Sequence, residues 1–125
     1  MIDTLTFTSP PPGLEPGTRF TLHALDGAAG VYAMRSVTVP RLRLFVVEAP
    51  LYVADYHPTL DADSRAMVAA DEVEPVLLLV SSVGADGPTV NLAAPIAINP
   101  QTGTAVQVIL DGQDWPLRHT LTVAA

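Results

Sequence analysis

Between Pro75 and Ser81 the chain reads Val76-Leu77-Leu78-Leu79-Val80, a run without a polar side chain. A continuous apolar run of this kind is typical of a strand that is buried on both faces or closed into a barrel. Other stretches alternate between apolar and polar residues, as half-buried strands do. They include Phe20 to Leu25, Arg41 to Val46 and Val106 to Leu110. We therefore predict an all-β, mainly antiparallel fold that curls into a small barrel.

Tight turns separate the predicted strands. Asp26-Gly27, Asp86-Gly87 and Asp111-Gly112 are typical of chain reversals, because glycine tolerates the positive φ that such turns require. The segment Asn99 to Gly103 holds a proline and ends on a glycine, which predicts a short hairpin loop. No boundary divides the 125 residues, so we predict a single domain over residues 1–125 with one ordinary core.

One segment breaks the two-residue period. Asp61 to Ala70 is rich in alanine and lacks glycine and proline. Asp61 is suited to cap a helix, and Asp63 would lie near the positive end of the helix dipole. We predict one short helix here, of about two to three turns, with Ala66, Met67 and Ala70 packed inward.

The composition narrows the class of protein. Apolar residues make up 49% of the chain, which excludes intrinsic disorder, and the lack of cysteine excludes disulfides, thiolate zinc sites and cysteine nucleophiles. The uncharged stretch Gly87 to Leu110 has the length of a membrane span, but its prolines, asparagines and glutamines are costly in lipid. Because the N-terminus also lacks the basic stretch of a signal peptide, we expect a soluble, cytoplasmic protein that does not bind a membrane.

The charge is uneven along the chain. Thirteen acidic residues against six arginines and no lysine give a net charge of −7, which argues against direct binding of nucleic acid. Residues 1–54 balance four acids with four arginines, whereas residues 55–86 hold seven acids and only Arg65. This acidic region has two interpretations: a solvated surface that keeps the protein soluble, or a docking surface for a basic protein.

We find no arrangement of residues that predicts catalysis. His23, His57 and His119 stand far apart, and neither a nucleophile elbow nor a phosphate-binding loop is present. We therefore expect no enzyme, no catalytic residue, no bound metal and no cofactor. One alternative stays open, a small β-barrel enzyme or ligand binder that uses Asp114 and His119 at the barrel mouth. It would bury a histidine and a carboxylate together in one polar pocket.

Four longer segments are more specific than any single short motif. In chain order they are Ala49 to Pro58, Asn91 to Pro100, Gln107 to Asp111 and Trp115 to His119. Together they resemble the flagellar assembly factor FliW family, in order and spacing, from about Val31 to Leu121. In the N-terminal third only Pro11 to Leu14 and Arg19-Phe20 match the family, and the loop between them is shorter.

The resemblance implies an antiparallel, barrel-like fold and a non-enzymatic regulator with two competing partners. Proteins similar to FliW bind newly made flagellin in the cytoplasm. When flagellin is exported, the free protein binds the RNA-binding regulator CsrA and relieves its repression of flagellin mRNA translation. A narrower alternative in this class is a dedicated flagellin chaperone that does not bind CsrA. The expected partners are thus flagellin and a CsrA-type regulator, without direct contact with nucleic acid.

We place the partner-binding surface on the loop around Tyr56 and on the acidic region. The candidate residues are Asp55, Tyr56, Pro58, Asp61, Asp63, Asp71, Glu72, Asn91, Asn99, Asp111 and Arg118. Structural roles are the alternative: Tyr56 covering the core, Pro58 ending a strand, and both asparagines satisfying turn backbone. For Arg118 the alternative is an ion pair with Asp114 or Asp111.

Overall fold

The computed structural model describes residues 3–11, 14–68, 73–84, 87–110 and 112–120, which form strands and two short helices. The strands are β1 (Thr4–Phe7), β2 (Arg19–Ala24), β3 (Val31–Ser36), β4 (Arg43–Glu48), β5 (Val76–Gly84), β6 (Gly87–Val90), β7 (Ile96–Ile98), β8 (Thr104–Gln107) and β9 (His119–Thr120). The helices are α1 (Ala49–Tyr52) and α2 (Ala62–Met67). The prediction of an all-β fold is confirmed.

Seven of these strands close into a barrel. Around the ring they follow the order β4-β3-β2-β1-β8-β7-β5, and β5 pairs with β4 to close it. Every pairing in the ring is antiparallel except that of β1 with β8, which is parallel. Strands β6 and β9 continue the sheet beside the second half of β5. The predicted barrel, mainly antiparallel, is therefore present.

Strand β5 contributes to two hydrophobic cores, one on each of its faces. Val76, Leu78 and Val80 pack with an inner core, whereas Leu77 and Leu79 pack with an outer core. Leu78 and Leu79 are 1% and 0% exposed, so the strand is buried on both faces at once. The uninterrupted apolar run predicts this arrangement, because adjacent residues of a strand point to opposite faces.

The two cores lie on either side of the barrel wall. The inner core takes alternate residues of the ring strands, among them Leu5, Phe7, Phe20, Leu22, Tyr32, Met34, Val46, Leu78, Ile96, Ile98 and Ala105. The outer core lies on the other face of β5, β7 and β8, and the segments before and after α2 cover it. Its buried members include Val47, Tyr56, Val68, Leu79, Val90, Leu92, Ala97, Val106, Val108 and Leu110. Because successive side chains of a strand point to opposite faces, the same strands of the barrel wall contribute residues to both cores.

Helix α2 confirms one prediction and corrects another. The Asp61 carboxylate accepts a hydrogen bond of 2.8 Å from the backbone N–H three residues along, so this residue caps the helix as predicted. The predicted inward packing is wrong, since Ala66 and Met67 are exposed and no residue of the helix is buried. The helix ends at Met67 and is too short to place several side chains on one inward face. The residue that packs into the core here is Val68, which follows the helix and is fully buried. Ala70 lies outside the described residues.

Helix α1 is absent from the sequence-based prediction. Pro50 lies in its first turn, where the fixed φ of proline suits a helix and its missing N–H has no partner to lose. The chain therefore turns away from β5 at the end of β4. As a result, β4 pairs with only part of β5, and the first residues of β5 have no partner in β4. A cleft opens beside this helix.

The predicted hairpin loop between β7 and β8 is confirmed. Gly103 adopts a φ of 78°, and its N–H donates to the Asn99 carbonyl over 2.8 Å. Gly27 makes the same use of positive φ, at 77°, between β2 and β3. Of the helices in the described residues, neither has the length or the apolar composition that spanning a membrane requires.

Candidate partner-binding surface

A cleft of about 690 Å³ lies between α1, the loop that follows it and the start of β5. We call it the α1 cleft. Its lining includes Glu48, Leu51, Tyr56, Pro58, Glu74 and Leu77. Most of the wall is apolar, and the two carboxylates stand at the rim. Two of the candidate residues, Tyr56 and Pro58, line this cleft, and a third, Asp55, precedes them on the same loop.

The start of β5 has an open edge beside this cleft. Strand β4 ends at Glu48, which lies opposite Leu78, and the chain then enters α1. Val76 and Leu77 therefore pair with β7 on one side and with no described strand on the other. An open strand edge next to an apolar wall is a common binding site for an extended peptide, which joins the sheet as a further strand.

Helix α1 is held against the turn between β2 and β3. The Tyr52 hydroxyl donates to the Ala29 carbonyl over 2.7 Å, and the Glu48 N–H donates to the Gly30 carbonyl over 2.8 Å. Gly30 has a φ of 76°, and a Cβ atom there would lie 2.6 Å from Cδ1 of Leu51. The turn and the helix thus fit together closely, while Leu51, 60% exposed, stands at the lip of the cleft.

Tyr56 belongs both to the wall of the α1 cleft and to the outer core. It is 6% exposed, and its hydroxyl donates to the Leu92 carbonyl over 2.6 Å. Its ring meets that of Trp115 edge to face, with the centroids 4.7 Å apart. Burial raises the pKa of this hydroxyl well above the usual range of tyrosine, so it remains a neutral donor. Tyr56 therefore has the structural role of covering the core, and it reaches the cleft with one side of its ring.

Gln113 fastens the loop after α1 to the C-terminal part of the chain. Its amide oxygen accepts from the Thr59 N–H over 3.1 Å, and its amide nitrogen donates to the Thr59 carbonyl over 3.0 Å. The same oxygen accepts from the Trp115 indole N–H over 3.2 Å. The sequence does not predict the role of Gln113, because a single glutamine forms no recognisable motif. The only signal in this segment is the neighbouring motif that begins at Trp115.

Two acidic side chains, Glu48 and Glu74, line the α1 cleft. Glu74 is exposed, and its ion pair with Arg65, at 4.0 Å, is the only one in the part of the chain that the structure describes. At the other rim Glu48 lies beside Tyr32, whose pKa is raised by burial and by the negative charge of Glu48. Further exposed acids, on the loop and on α2, are Asp55, Asp61 and Asp63. Glu48 and Glu74 are therefore the acids of the cleft itself, whereas Asp61 borders a different cleft.

The candidate acids of α2 stand at its first turn. Hydrogen bonds from Ser64 hold the pKa of the Asp61 carboxyl below its usual value, so it is charged at neutral pH. Asp61 also borders a smaller cleft of about 240 Å³, together with Thr59 and Gln113. Two further candidates, Asp71 and Glu72, lie outside the described residues.

The candidate asparagines bond to nearby backbone. Asn99 is 2% exposed, its side-chain amide donates to the Val68 carbonyl over 2.9 Å, and its side-chain oxygen accepts from the Gln101 N–H over 2.9 Å. The side-chain oxygen of Asn91 accepts from the Ala93 N–H over 2.9 Å. Asn91 also lines a second cleft, of about 360 Å³, that opens onto the inner core.

Of the last two candidates, the structure describes only Arg118, which follows a residue of this second cleft. Arg118 is exposed, and within the described ranges it forms no ion pair with Asp114. Asp111, its other predicted partner, lies outside the described residues. Leu117, which is 68% exposed, lines the second cleft. The structure thus brings Asp55, Tyr56 and Pro58 together and sets Asn91 at a different cleft.

The buried pair that the enzyme alternative requires is not found in the described segments. Asp114 is exposed, His119 is half-buried, and no hydrogen bond joins them there. His57 lines the α1 cleft with Glu48 and Glu74, but the histidine and Glu74 are exposed to water. Among the residues with described positions, no three His, Asp or Glu side chains are grouped so that they could hold a metal ion.

Comparison with known proteins extends over almost the whole chain. The sequence model of the family described as FliW protein matches residues 2–121. The chain belongs to the FliW family. It is 30% identical over 121 residues to the flagellar assembly factor FliW of Thermotoga sp. (strain RQ2), covering 94% of this chain and 81% of that relative. It is 27% identical over 120 residues to the flagellar assembly factor FliW of Bacillus subtilis (strain 168), covering 94% and 84%.

A solved FliW structure has the same fold. The crystal structure of the flagellar assembly factor FliW matches this chain with a TM-score of 0.83 at 28% sequence identity. The match covers 94% of this chain and 84% of that one. The FliW family that the four segments predict is therefore confirmed in sequence and in fold.

Proposed function

We propose that this protein is a non-enzymatic flagellar assembly factor of the cytoplasm. It binds newly made flagellin, and when it is free of flagellin it binds a CsrA-type RNA-binding regulator. Binding of the regulator relieves the repression of flagellin mRNA. The observation that carries the proposal is the FliW family match over residues 2–121, with relatives that are named flagellar assembly factors.

The α1 cleft supports a protein partner rather than a small substrate. Its wall is apolar, Leu51 is exposed at its lip, and the edge of β5 offers backbone N–H and carbonyl groups. An extended peptide binds such an edge through main-chain hydrogen bonds, and one of its apolar side chains fills the pocket beside it. We assign the α1 cleft to partner binding, with Asp55, Tyr56 and Pro58 as its candidate residues.

The acidic rim supports an electrostatic mechanism of antagonism. A regulator that binds RNA must carry positive charge to hold the phosphates. The acids of the cleft, of the loop after α1 and of α2 would lie beside that charge in the complex and lower the positive potential over about one Debye length, 8–10 Å at physiological salt. RNA binding by the regulator would then weaken, although the acidic protein does not itself occupy the RNA-binding site.

Co-purification tests the proposal directly. The tagged protein is mixed with flagellin, with CsrA, or with both at equal concentrations. We expect it to retain each partner alone, and we expect added flagellin to displace CsrA. Retention of flagellin alone would identify the narrower function of a dedicated flagellin chaperone. Retention of neither protein would contradict the proposal.

The electrostatic mechanism has a separate test. One variant combines Asp61→Asn, Asp63→Asn, Asp71→Asn and Glu72→Gln, and the asparagine at the first position still caps α2. We expect this variant to release RNA from CsrA several-fold less well than the wild type, and the difference to grow at low salt, where screening is weak.

The control removes three charges outside this region, so that its net charge stays close to that of the acidic-region variant. It combines Asp3→Asn, Glu15→Gln and Asp26→Asn, all at exposed positions. We expect it to release RNA nearly as well as the wild type. If the acidic-region variant and the wild type release RNA from CsrA equally well, the electrostatic mechanism is wrong. Binding of flagellin is tested separately, by the co-purification experiment.

A further inference from the structure

Four of the six arginines lie on one wall of the barrel. Arg19 belongs to β2, Arg35 to β3 and Arg43 to β4, and Arg41 lies in the loop between β3 and β4. All four side chains are exposed. We call the outer face of these three strands the arginine wall.

The strand register brings these arginines together. Arg35 lies directly opposite Arg43 in the antiparallel pair of β3 and β4. Side chains at such positions have Cβ atoms about 5 Å apart. Arg19 is two residues from Thr21, the β2 residue opposite Arg35, so it is a diagonal neighbour at about 7–8 Å. The residues that alternate with them pack with the inner core, which directs the arginines outward; they are Phe20, Met34 and Leu44.

In the described part of the chain, no carboxylate pairs with the arginine wall. Within the described residues none of its four arginines forms an ion pair, and the sequence from Gly27 to Val47 contains no aspartate or glutamate. Arg43 lies over the Phe45 ring, 5.3 Å from the ring centroid, a contact that neutralises no charge. Like charges directly opposite each other destabilise a sheet. The fold therefore concentrates positive charge at one place in a protein whose net charge is −7.

We propose that the arginine wall is a docking surface for an acidic helix of a partner protein. Arginine binds carboxylates through paired hydrogen bonds, a geometry that lysine cannot supply. Carboxylates at positions i, i+3 and i+4 of a helix lie about 5–6 Å apart, close to the spacing of side chains across β3 and β4. Phe45, 38% exposed, and Val37, 45% exposed, supply apolar contact beside the arginines.

The rest of the molecule favours a protein segment over a nucleic acid. Strand β4 begins at Arg43 and ends at Glu48, so the arginine wall and the acidic rim of the α1 cleft are about 17 Å apart along one strand. A long polyphosphate chain would extend into that negative field, whereas a short helix fits on the wall alone. Because the two surfaces have opposite charge, this inference does not depend on which protein the α1 cleft binds.

Fluorescence anisotropy tests the inference with a defined probe. The probe is a labelled, alanine-based helical peptide with glutamates at i, i+3 and i+4 and a leucine beside them, and its control carries glutamines instead. We expect the full chain to bind the glutamate peptide, with an affinity that falls as salt rises, and not to bind the glutamine peptide.

Two double variants locate the binding. Arg35→Gln/Arg43→Gln should weaken binding of the glutamate peptide about tenfold, as the loss of two charge-assisted contacts implies. Arg65→Gln/Arg118→Gln removes the same net charge away from the wall, so the affinity should change by less than about twofold. Circular dichroism checks the fold of both. If the wall variant does not fold, Arg19→Gln/Arg35→Gln replaces it and must give the same loss.

Several results would overturn the inference. They are failure to bind the glutamate peptide at low salt, equal losses in the two double variants, and binding of single-stranded oligouridine that the wall variant abolishes. Salt-sensitive self-association of the protein, seen by sedimentation and lost in the wall variant, would also overturn it, because the occupant would then be a second copy of this chain.

Discussion

Tyr56 contributes a ring to the outer core and a hydroxyl whose acceptor is the Leu92 carbonyl. The substitution Tyr56→Phe keeps the ring and its contact with Trp115 but removes the donor from that buried carbonyl. We expect the free energy of unfolding to fall by about 1–3 kcal/mol, the cost of leaving a buried acceptor unsatisfied. Urea unfolding followed by circular dichroism measures the difference.

The same substitution changes how stability responds to alkaline pH. Burial raises the pKa of Tyr56 above its ordinary value of 10.0, so the folded protein keeps a proton that the unfolded chain loses. The resulting stabilisation is complete below about pH 10 and is lost as the pH rises further. We therefore expect the wild type to lose more stability than Tyr56→Phe between about pH 9 and about pH 11. A parallel decline of the two proteins would contradict this assignment.

The position of helix α1 depends on its contacts with the turn between β2 and β3. Gly30 and Gly27 have positive φ angles of 76° and 77°, so alanine meets the same backbone penalty at both, about 1–2 kcal/mol. Only at Gly30 would the new Cβ meet a neighbour, Cδ1 of Leu51 at 2.6 Å, whereas nothing lies within 4 Å at Gly27. We expect Gly30→Ala to destabilise the protein somewhat more than Gly27→Ala and to displace the Leu51 side chain at the lip of the α1 cleft.

Two measurements separate the backbone penalty from the contact with the helix. Urea unfolding of both variants compares the free energies, and binding of CsrA, a partner that we propose for the α1 cleft, compares the state of that cleft. We expect Gly27→Ala to bind like the wild type and Gly30→Ala to bind more weakly. Equal stability and equal binding of the two variants would mean that the Leu51 side chain moves aside without cost and does not contribute to binding.

Sequence reasoning succeeds for the elements in which a single period or a capping rule dominates. The apolar run of β5 and the Asp61 cap of α2 are both predicted and both present. It fails for α1, because Pro50 suits the end of a strand as well as the first turn of a helix, and contacts with Ala29 and Gly30 in a distant turn favour the helix. It fails for the inner face of α2, because alanines define no apolar stripe.

Over the whole molecule, counting residues predicts the charges but not the surfaces that they form. The acidity of residues 55–86 is visible in the sequence, but the α1 cleft joins residues 48–58 to residues 74–77 across the barrel closure. The arginine wall likewise exists because the register sets Arg35 opposite Arg43. Register depends on turn geometry and on the burial of a whole sheet face, and no short motif encodes it.

The position of β5 between both cores predicts that the barrel and its outer layer unfold together. Leu78 packs inward and Leu79 outward, and they are 1% and 0% exposed. We expect Leu78→Ala and Leu79→Ala each to lower the free energy of unfolding by about 2–5 kcal/mol, as truncation of a buried leucine does.

Two spectroscopic signals distinguish joint from separate unfolding. Trp115 is the single tryptophan of the chain and packs on the outer core, so its fluorescence follows the outer layer, while far-ultraviolet circular dichroism follows the barrel. Because one strand carries both leucines, we expect the two signals to give the same midpoint in each variant. A midpoint that falls by fluorescence alone in Leu79→Ala would mean that the outer layer opens by itself. The α1 cleft, with Tyr56 in its wall, would then be able to rearrange on binding while the barrel stays folded.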